Sequence, residues 1–394
     1  MGAMTPDALG PLTGTRLIDL ADESGAYATK LLADLGAEVV RVVPPDARRM
    51  TGPRVTDGMD AGASLREWYL MTNKRVVHLD LGSTAGREHL ERLVATADAI
   101  VETGAPGAMA RLGLGFDRLK ALRPGIILVS ITPFGQDGPY AHYVADDLVT
   151  LAAGGLLSLG GYPDTAPIAV DAAQSTYAAS LAAATALLIG LIEREDGSAA
   201  RWIDVSAQEC IAGALEDAIP EFDLRGTVRR RNGDGPREAG SGVFRCADGY
   251  VSMIAGRVGT AEAWKALVAW LREEAVAGAD AVAGEAWSRF EHRQTPEAIA
   301  TFGDVFGRFA AVRTKVALYE EAQRRGISLS PVNRLDEVLE DRQLIARDFF
   351  TTVRVGGQEV VMPGAPYRLS RTPWRVRAGE ALADPEAVPP PVVA

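Results

Sequence analysis

One carboxylate stands apart from the other acidic residues of this chain. Asp171 closes a short apolar run, Ile168-Ala169-Val170, and opens onto 174–192, a stretch dominated by Ala, Leu, Ile, Ser and Thr with no Pro and a single Gly. A carboxylate at the mouth of a helix has two uses. It caps the helix by accepting bonds from the first unpaired N–H groups, the ordinary role of Asp as a residue type. Or it is held at the positive helix end to act on something that docks there. The residue alone leaves both open. Other reactive types say less. The two cysteines, Cys210 and Cys246, are too few for a disulfide framework, fit a reducing cytosol, and read as small buried residues rather than nucleophiles. His78, His89, His142 and His292 are scattered without metal-ligand spacing, so no metal is expected.

The elements that must position Asp171 follow from pattern. At 394 residues the chain suggests two domains, and 47% hydrophobic with 24% charged residues is an ordinary globular composition. A net charge of −11 argues against nucleic acid, which wants a basic face, and against an anionic membrane surface. The opening MGAMTPDALG lacks the basic and apolar segments of a signal peptide. The run at 174–192 approaches the ~20 apolar residues of a membrane span. Its Ala, Ser and Thr content instead predicts a core helix, apolar on every side.

In chain order, TRLIDL (15–20) predicts a strand, GAYATKLLADL (25–35) a helix ended by Gly36, and EVVRVV (38–43) a second strand. A second unit follows: strand 76–81, helix 84–97, strand 99–102. An amphipathic piece at 116–122 precedes a strand at 126–131. Strands alternating with helices imply an α/β fold with a parallel sheet covered on both faces, a Rossmann-like arrangement. The first strand leads into ADESGAY rather than GxGxxG, so a nicotinamide or flavin cofactor has no support. After 174–192 come a strand at 201–205 and a helix at 206–219. Then the texture changes. Arg229-Arg230-Arg231 and the Gly-rich 232–242 read as a linker or mobile loop. A hairpin at 243–255 turns on Asp248-Gly249, and helices carrying Trp264, Trp270 and Trp287 follow. Residues 226–324 thus read as a smaller α/β domain. Residues 325–380 return with a helix at 336–349 and a hairpin on Gly356-Gly357, and 381–394 is a loose Ala/Pro-rich tail.

Several segments together resemble the class III CoA-transferase family, which includes formyl-CoA and carnitine CoA-transferases and α-methylacyl-CoA racemases. They are LLADLGAEVVRV (31–42), NKRVVHLDL (73–81), ADAIVETGAPGAMARLGLGFDRLKALRP (97–124), LVSITPFGQDGPYA (128–141), IDVSAQE (203–209), ADGYV (247–251) and SPVNRLDEVLEDRQLIARDFF (330–350). The likeness runs from about 12 to 375. It implies an interlocked-ring homodimer in which the large CoA-binding domain is built from both chain ends, here 12–225 and 325–380, with the small domain between. It implies that Asp171 is the nucleophile, attacking an acyl-CoA and passing CoA to an acid acceptor through an aspartyl-CoA thioester. Arg41, Lys74 and Arg111 would meet the CoA phosphates, Thr103 would hydrogen-bond to CoA, and Arg75, Arg48 and Arg49 would assist. CoA and acyl-CoA are then substrates, no permanent cofactor is required, and the expected compartment is cytoplasmic.

Two departures matter. The family commonly reads E-N-F-x-P-G where this chain has Glu102-Thr103-Gly104-Ala105-Pro106-Gly107, and A-G-P where it has Ser24-Gly25-Ala26. The main alternative is racemase-type α-proton chemistry, but Asp146 stands where a His base is expected, with His142 displaced into a loop. A non-catalytic CoA-binding homologue is the other alternative.

Overall fold

The structure is a computed structural model that describes residues 10–54, 64–171, 173–195, 199–233, 235–255, 261–355, 358–377 and 380–381. The turn expected at Gly356-Gly357 and the tail beyond 381 lie outside the described residues. The chain folds as two compact units. One comprises residues up to 157, 169–228 and those from 343 onward; the other comprises 158–168 and 229–342.

The first unit is built on β1 (Arg16–Leu20), β2 (Glu38–Val43), β3 (Lys74–His78), β4 (Ala99–Glu102), β5 (Ile127–Thr132) and β6 (Arg201–Ser206). All six run parallel, and a two-residue strand at Glu380–Ala381 joins the edge beside β3. Counting that last strand as β12, the order across the sheet is β12-β3-β2-β1-β4-β5-β6. The inner strands are aliphatic at nearly every position because helices cover both faces. Successive side chains divide between the two faces. Leu17, Val39, Val101 and Val129 pack with α1 (Ala26–Asp34) and α7 (Gln174–Glu195). Their neighbours Ile18, Val40, Ile100 and Leu128 pack on the opposite face with α3 (Thr84–Val94) and α5 (Phe116–Leu122). The intervening helices are α2 (Leu65–Met71), α4 (Ala108–Arg111) and α6 (Asp147–Ala153).

Local chemistry explains the joints. At the end of α1 the Gly36 N–H donates to the Ala33 carbonyl and the Ala37 N–H to the Leu32 carbonyl, the paired bonds of a Schellman stop. Gly36 takes φ +98°, open to glycine. The helix expected at 206–219 is two, Ala207–Gly213 and Ala218–Arg225. α7 departs from expectation in burial. Ala179, Ala183, Leu187 and Leu191 are buried, but Leu181, Ile189 and Ile192 on its other side are exposed. A sheet offers a helix one face, so an all-round apolar sequence leaves a stripe without a partner inside this unit.

The second unit is a three-stranded antiparallel sheet, β7 (Ser241–Cys246), β8 (Gly249–Ile254) and β9 (Ser328–Pro331), under an aromatic core of Phe244, Trp264, Trp270, Phe302, Phe306 and Phe309. The expected loose linker is tied down at Arg231, whose guanidinium donates to the carbonyls of Ser158, Tyr162 and Thr165 at 3.2, 2.9 and 2.8 Å. The helix expected at 336–349 is broken into Leu335–Leu339 and Arg342–Ala346, and the chain then forms the antiparallel pair β10 (Phe350–Val355) and β11 (Gln358–Pro363).

Candidate active site

Strand order reverses between β1 and β4, so the loops leaving these two strands diverge and open a crevice at their carboxyl ends. A cavity of about 560 Å³ lies there. It is lined by residues 22–24 after β1, 103–106 after β4, 131–133 at the end of β5, the 141–147 loop and the start of α7. The two loops are stitched together: Thr103 Oγ1 accepts the Asp22 N–H at 2.8 Å. Gly25 permits the approach, since a Cβ there would stand 2.6 Å from Thr103 Cγ2. Glu102 Oε2 accepts the Gly104 N–H at 2.6 Å. Burial pushes the Glu102 carboxyl above its ordinary range, against the pull of its hydrogen bonds from Ser130 and Gly104.

Between β1, β2, β3 and α1 lies a buried ionic network centred on Asp19, which is fully buried. Oδ1 accepts from Arg41 Nη1 at 2.9 Å and from the Ala21 N–H at 2.9 Å; Oδ2 accepts from Lys74 Nζ and Thr29 Oγ1, each at 2.8 Å. Lys74 has a 0% exposed side chain, and its ammonium makes three contacts, to Asp19, the Ala26 carbonyl and Thr29. Arg41 keeps a 10% exposed side chain, and its buried Nε has no hydrogen-bond partner among the described residues. Burial pushes Lys74 down to about 8 despite Asp19 beside it. Burial also raises Asp19, but Lys74 and Arg41 outweigh it and leave the carboxyl below its ordinary value. Two cations face one carboxylate, so the network carries net positive charge, although none of its residues lines the cavity.

Asp171 is exposed. It lies in a second hollow of about 450 Å³, with Asp146, Asp147, Leu148, Val170 and Ala173. Asp146, Asp147 and Ala173 also line the larger cavity, so the two hollows adjoin and share a wall. Ala173 takes a left-handed φ of +52°, sparsely populated for a residue with a side chain, and α7 starts at the next residue. A capping carboxylate at this helix end comes from elsewhere in the chain. Asp147 Oδ1 accepts the Ser175 N–H at 2.7 Å and the Ser175 hydroxyl at 2.6 Å. Asp146 caps α6 through the Val149 N–H at 3.0 Å.

The structure thus places Thr103 on the crevice and Asp171 on the hollow that adjoins it. It places Arg41 and Lys74 together on Asp19, and neither lines the crevice. Arg111 is exposed at the end of α4 and donates to the carbonyl of Pro106, a lining residue, at 3.0 Å. Of the helpers, Arg75 pairs with Glu38 at 2.8 Å and Arg49 with Glu67 at 3.3 Å. Sequence reasoning missed Asp19, Asp147 and Arg66, the last a lining residue. The lone Asp in the apolar strand TRLIDL was a usable signal, because a carboxylate in such a strand requires partners. Arg66 carries no comparable mark. Among the described residues no group of His, Cys, Asp and Glu is disposed to hold a metal ion.

A parallel sheet with a crevice at its switch point defines a class of α/β ligand-binding proteins. Comparison with known proteins narrows it. Residues 12–381 match the family model for CoA-transferase family III, and the chain belongs to that family. It is 34% identical, over 92% of this chain and 88% of the relative, to the succinyl-CoA:(R)-benzylsuccinate CoA-transferase subunit BbsE of Thauera aromatica. It is 29% identical, over 93% and 89%, to the succinyl-CoA–D-citramalate CoA-transferase of Chloroflexus aurantiacus. Its fold matches a CAIB/BAIF family protein from Brucella suis with a TM-score of 0.81 at 25% identity, covering 94% of this chain and 96% of that one.

Proposed function

We propose that the protein transfers CoA from an acyl-CoA donor to a carboxylic acid through a thioester on Asp171. The observation that carries this is the exposed Asp171 in a hollow that shares Asp146, Asp147 and Ala173 with the wall of the switch-point crevice. The Asp171 carboxylate attacks the donor thioester carbon, forming a mixed anhydride and releasing CoA thiolate. The thiolate attacks the Asp171 carbonyl of that anhydride, giving aspartyl-CoA and the donor's free acid. The acceptor carboxylate then attacks the aspartyl-CoA, forming a second anhydride and thiolate. The thiolate takes the acceptor's acyl carbon and restores Asp171. Every step exchanges one acyl bond for another, so no redox group is consumed, and the route is nucleophilic catalysis. The positive end of α7 favours negative charge near Asp171.

In this reading Thr103 and Arg111 flank the CoA path. Arg41 and Lys74 would supply positive potential toward the CoA phosphates from inside the fold rather than by direct contact. The names of the relatives direct the donor search to succinyl-CoA and the acceptor search to dicarboxylic acids. α-Proton chemistry has less support, because Asp146, at the place of the expected base, is engaged in capping α6. Two further expectations belong here: an interlocked homodimer, supported by the exposed apolar stripe of α7, and a cytoplasmic setting, suited to two free cysteines.

The test is a donor panel followed by intact-mass analysis. A CoA adduct mapped to Asp171 is expected, trapped by hydroxylamine or borohydride. Asp171→Asn should lower turnover at least ~10³-fold, comparable to loss of a nucleophile in other covalent enzymes, while CoA still binds. Full turnover by Asp171→Asn would remove the mechanism and leave the non-catalytic or α-proton readings.

A further inference from the structure

The crevice walls are acidic: Asp22, Glu23, Asp146 and Asp147 all line the cavity, and among the described lining residues Arg66 is the one Lys or Arg. An anion entering between four carboxylates is repelled unless a cation is placed to receive it. Arg66 sits on the first turn of α2, after Ser64, whose hydroxyl caps that helix. Its side chain is 24% exposed. Thr51 Oγ1 accepts from Arg66 Nη1 at 3.3 Å, and Glu23 Oε2 lies 3.8 Å away, beyond hydrogen-bond reach. Glu23 is itself held by the Thr51 N–H and hydroxyl at 3.0 and 2.9 Å, so the two groups that orient Arg66 are fixed to each other. Both contacts use Nη1. Among the described residues, Nε and Nη2 have no protein partner. A guanidinium oriented through one nitrogen, with two others unengaged, is arranged to grip a two-oxygen anion.

We infer that Arg66 is the anion-recognising residue of this crevice and selects substrates that carry an oxyanion away from the reacting carbonyl. That oxyanion is either the second carboxylate of a dicarboxylic acid or a phosphate of CoA. The inference rests on the reading that the crevice takes CoA and a carboxylic acid.

The experiment measures dissociation constants by ligand-observed NMR for full-length wild type, Arg66→Ala and Arg66→Lys. The ligands are succinate, butyrate, CoA and pantetheine. Loss of a charge-assisted bidentate contact should weaken the matching ligand about ten- to a hundred-fold. If the carboxylate is the target, Arg66→Ala weakens succinate and leaves butyrate, CoA and pantetheine unchanged. If the phosphate is the target, it weakens CoA and leaves pantetheine and both acids unchanged. Arg66→Lys restores part of the loss in either case, with a thermal midpoint matching wild type. Unchanged affinity for all four ligands, or uniform weakening of all four, overturns the inference. Binding is read without turnover, so it is separable from the mechanism. Full turnover by Asp171→Asn would sink the thioester route while these affinities still report on Arg66. An inert Asp171→Asn beside an unaltered Arg66→Ala would sink the role of Arg66 alone.

Discussion

Asp19 shows how one buried charge can organise a site it does not enter. Its carboxylate accepts from β2 through Arg41, from β3 through Lys74 and from α1 through Thr29. Replacing it with Asn would leave two buried cations without a counter-charge, which should cost about 3–5 kcal/mol of unfolding free energy. The pH dependence follows from the carboxyl's lowered value. Because the folded group ionises below its ordinary 3.8, its contribution is complete above that pH and is lost as pH falls through the lower folded value. Urea denaturation of wild type and Asp19→Asn should show a gap that is open in weakly acidic buffer, where Lys74 is charged, and closes as pH falls through the lower folded value of Asp19. A gap that stays open under acid would mean that the stabilisation is not carried by the ionised carboxylate. The cationic character of Arg41 and Lys74 was legible in the sequence. Their direction was not, because a solvated cation and one aimed at an internal carboxylate are the same letter.

Among the elements, α7 decides where Asp171 stands. Its extent was legible from composition: 174–192 expected, Gln174–Glu195 observed. Its start was not. One carboxylate that caps it is Asp147, from a turn of α6 that lies 28 positions away in sequence, whereas cap rules consider residues adjacent to the helix. Asp147→Ala removes the acceptor of both the Ser175 N–H and its hydroxyl and should cost about 1 kcal/mol. Asp147→Asn, which keeps an oxygen, should recover much of it. Thermal unfolding of the pair measures this. Equal midpoints for the Ala variant and wild type would show that the bond does not hold the helix end.

At the scale of the whole molecule, α7 also carries the argument for assembly. By length and composition it could cross a membrane, with a mean hydropathy of 1.7 in its most apolar window. Yet Leu187 on one side is fully buried against the sheet, while Leu181, Ile189 and Ile192 on the other are exposed. An apolar stripe of this kind favours association with another surface. With the proposed homodimer, wild type should sediment as a dimer, and Ile189→Glu should shift it toward monomer with the far-UV spectrum retained. A wild type that is monomeric at every concentration would remove the dimer and leave the stripe without an occupant.

Local pattern alone determined the α/β class and the parallel strands in their chain order, because strand and helix periods are properties of neighbouring residues. It left Asp171 open between a cap and a reactive group, and the family resemblance made it the candidate nucleophile. Only the tertiary structure decided that β1 and β4 are the neighbours between which the sheet reverses. That choice opens the crevice and brings residues as distant as Asp22, Thr103 and Ala207 to one cavity. It also decided which charges face inward. Partnership between buried charges depends on strand adjacency across the sheet, and strand adjacency leaves no trace in the local period of the chain.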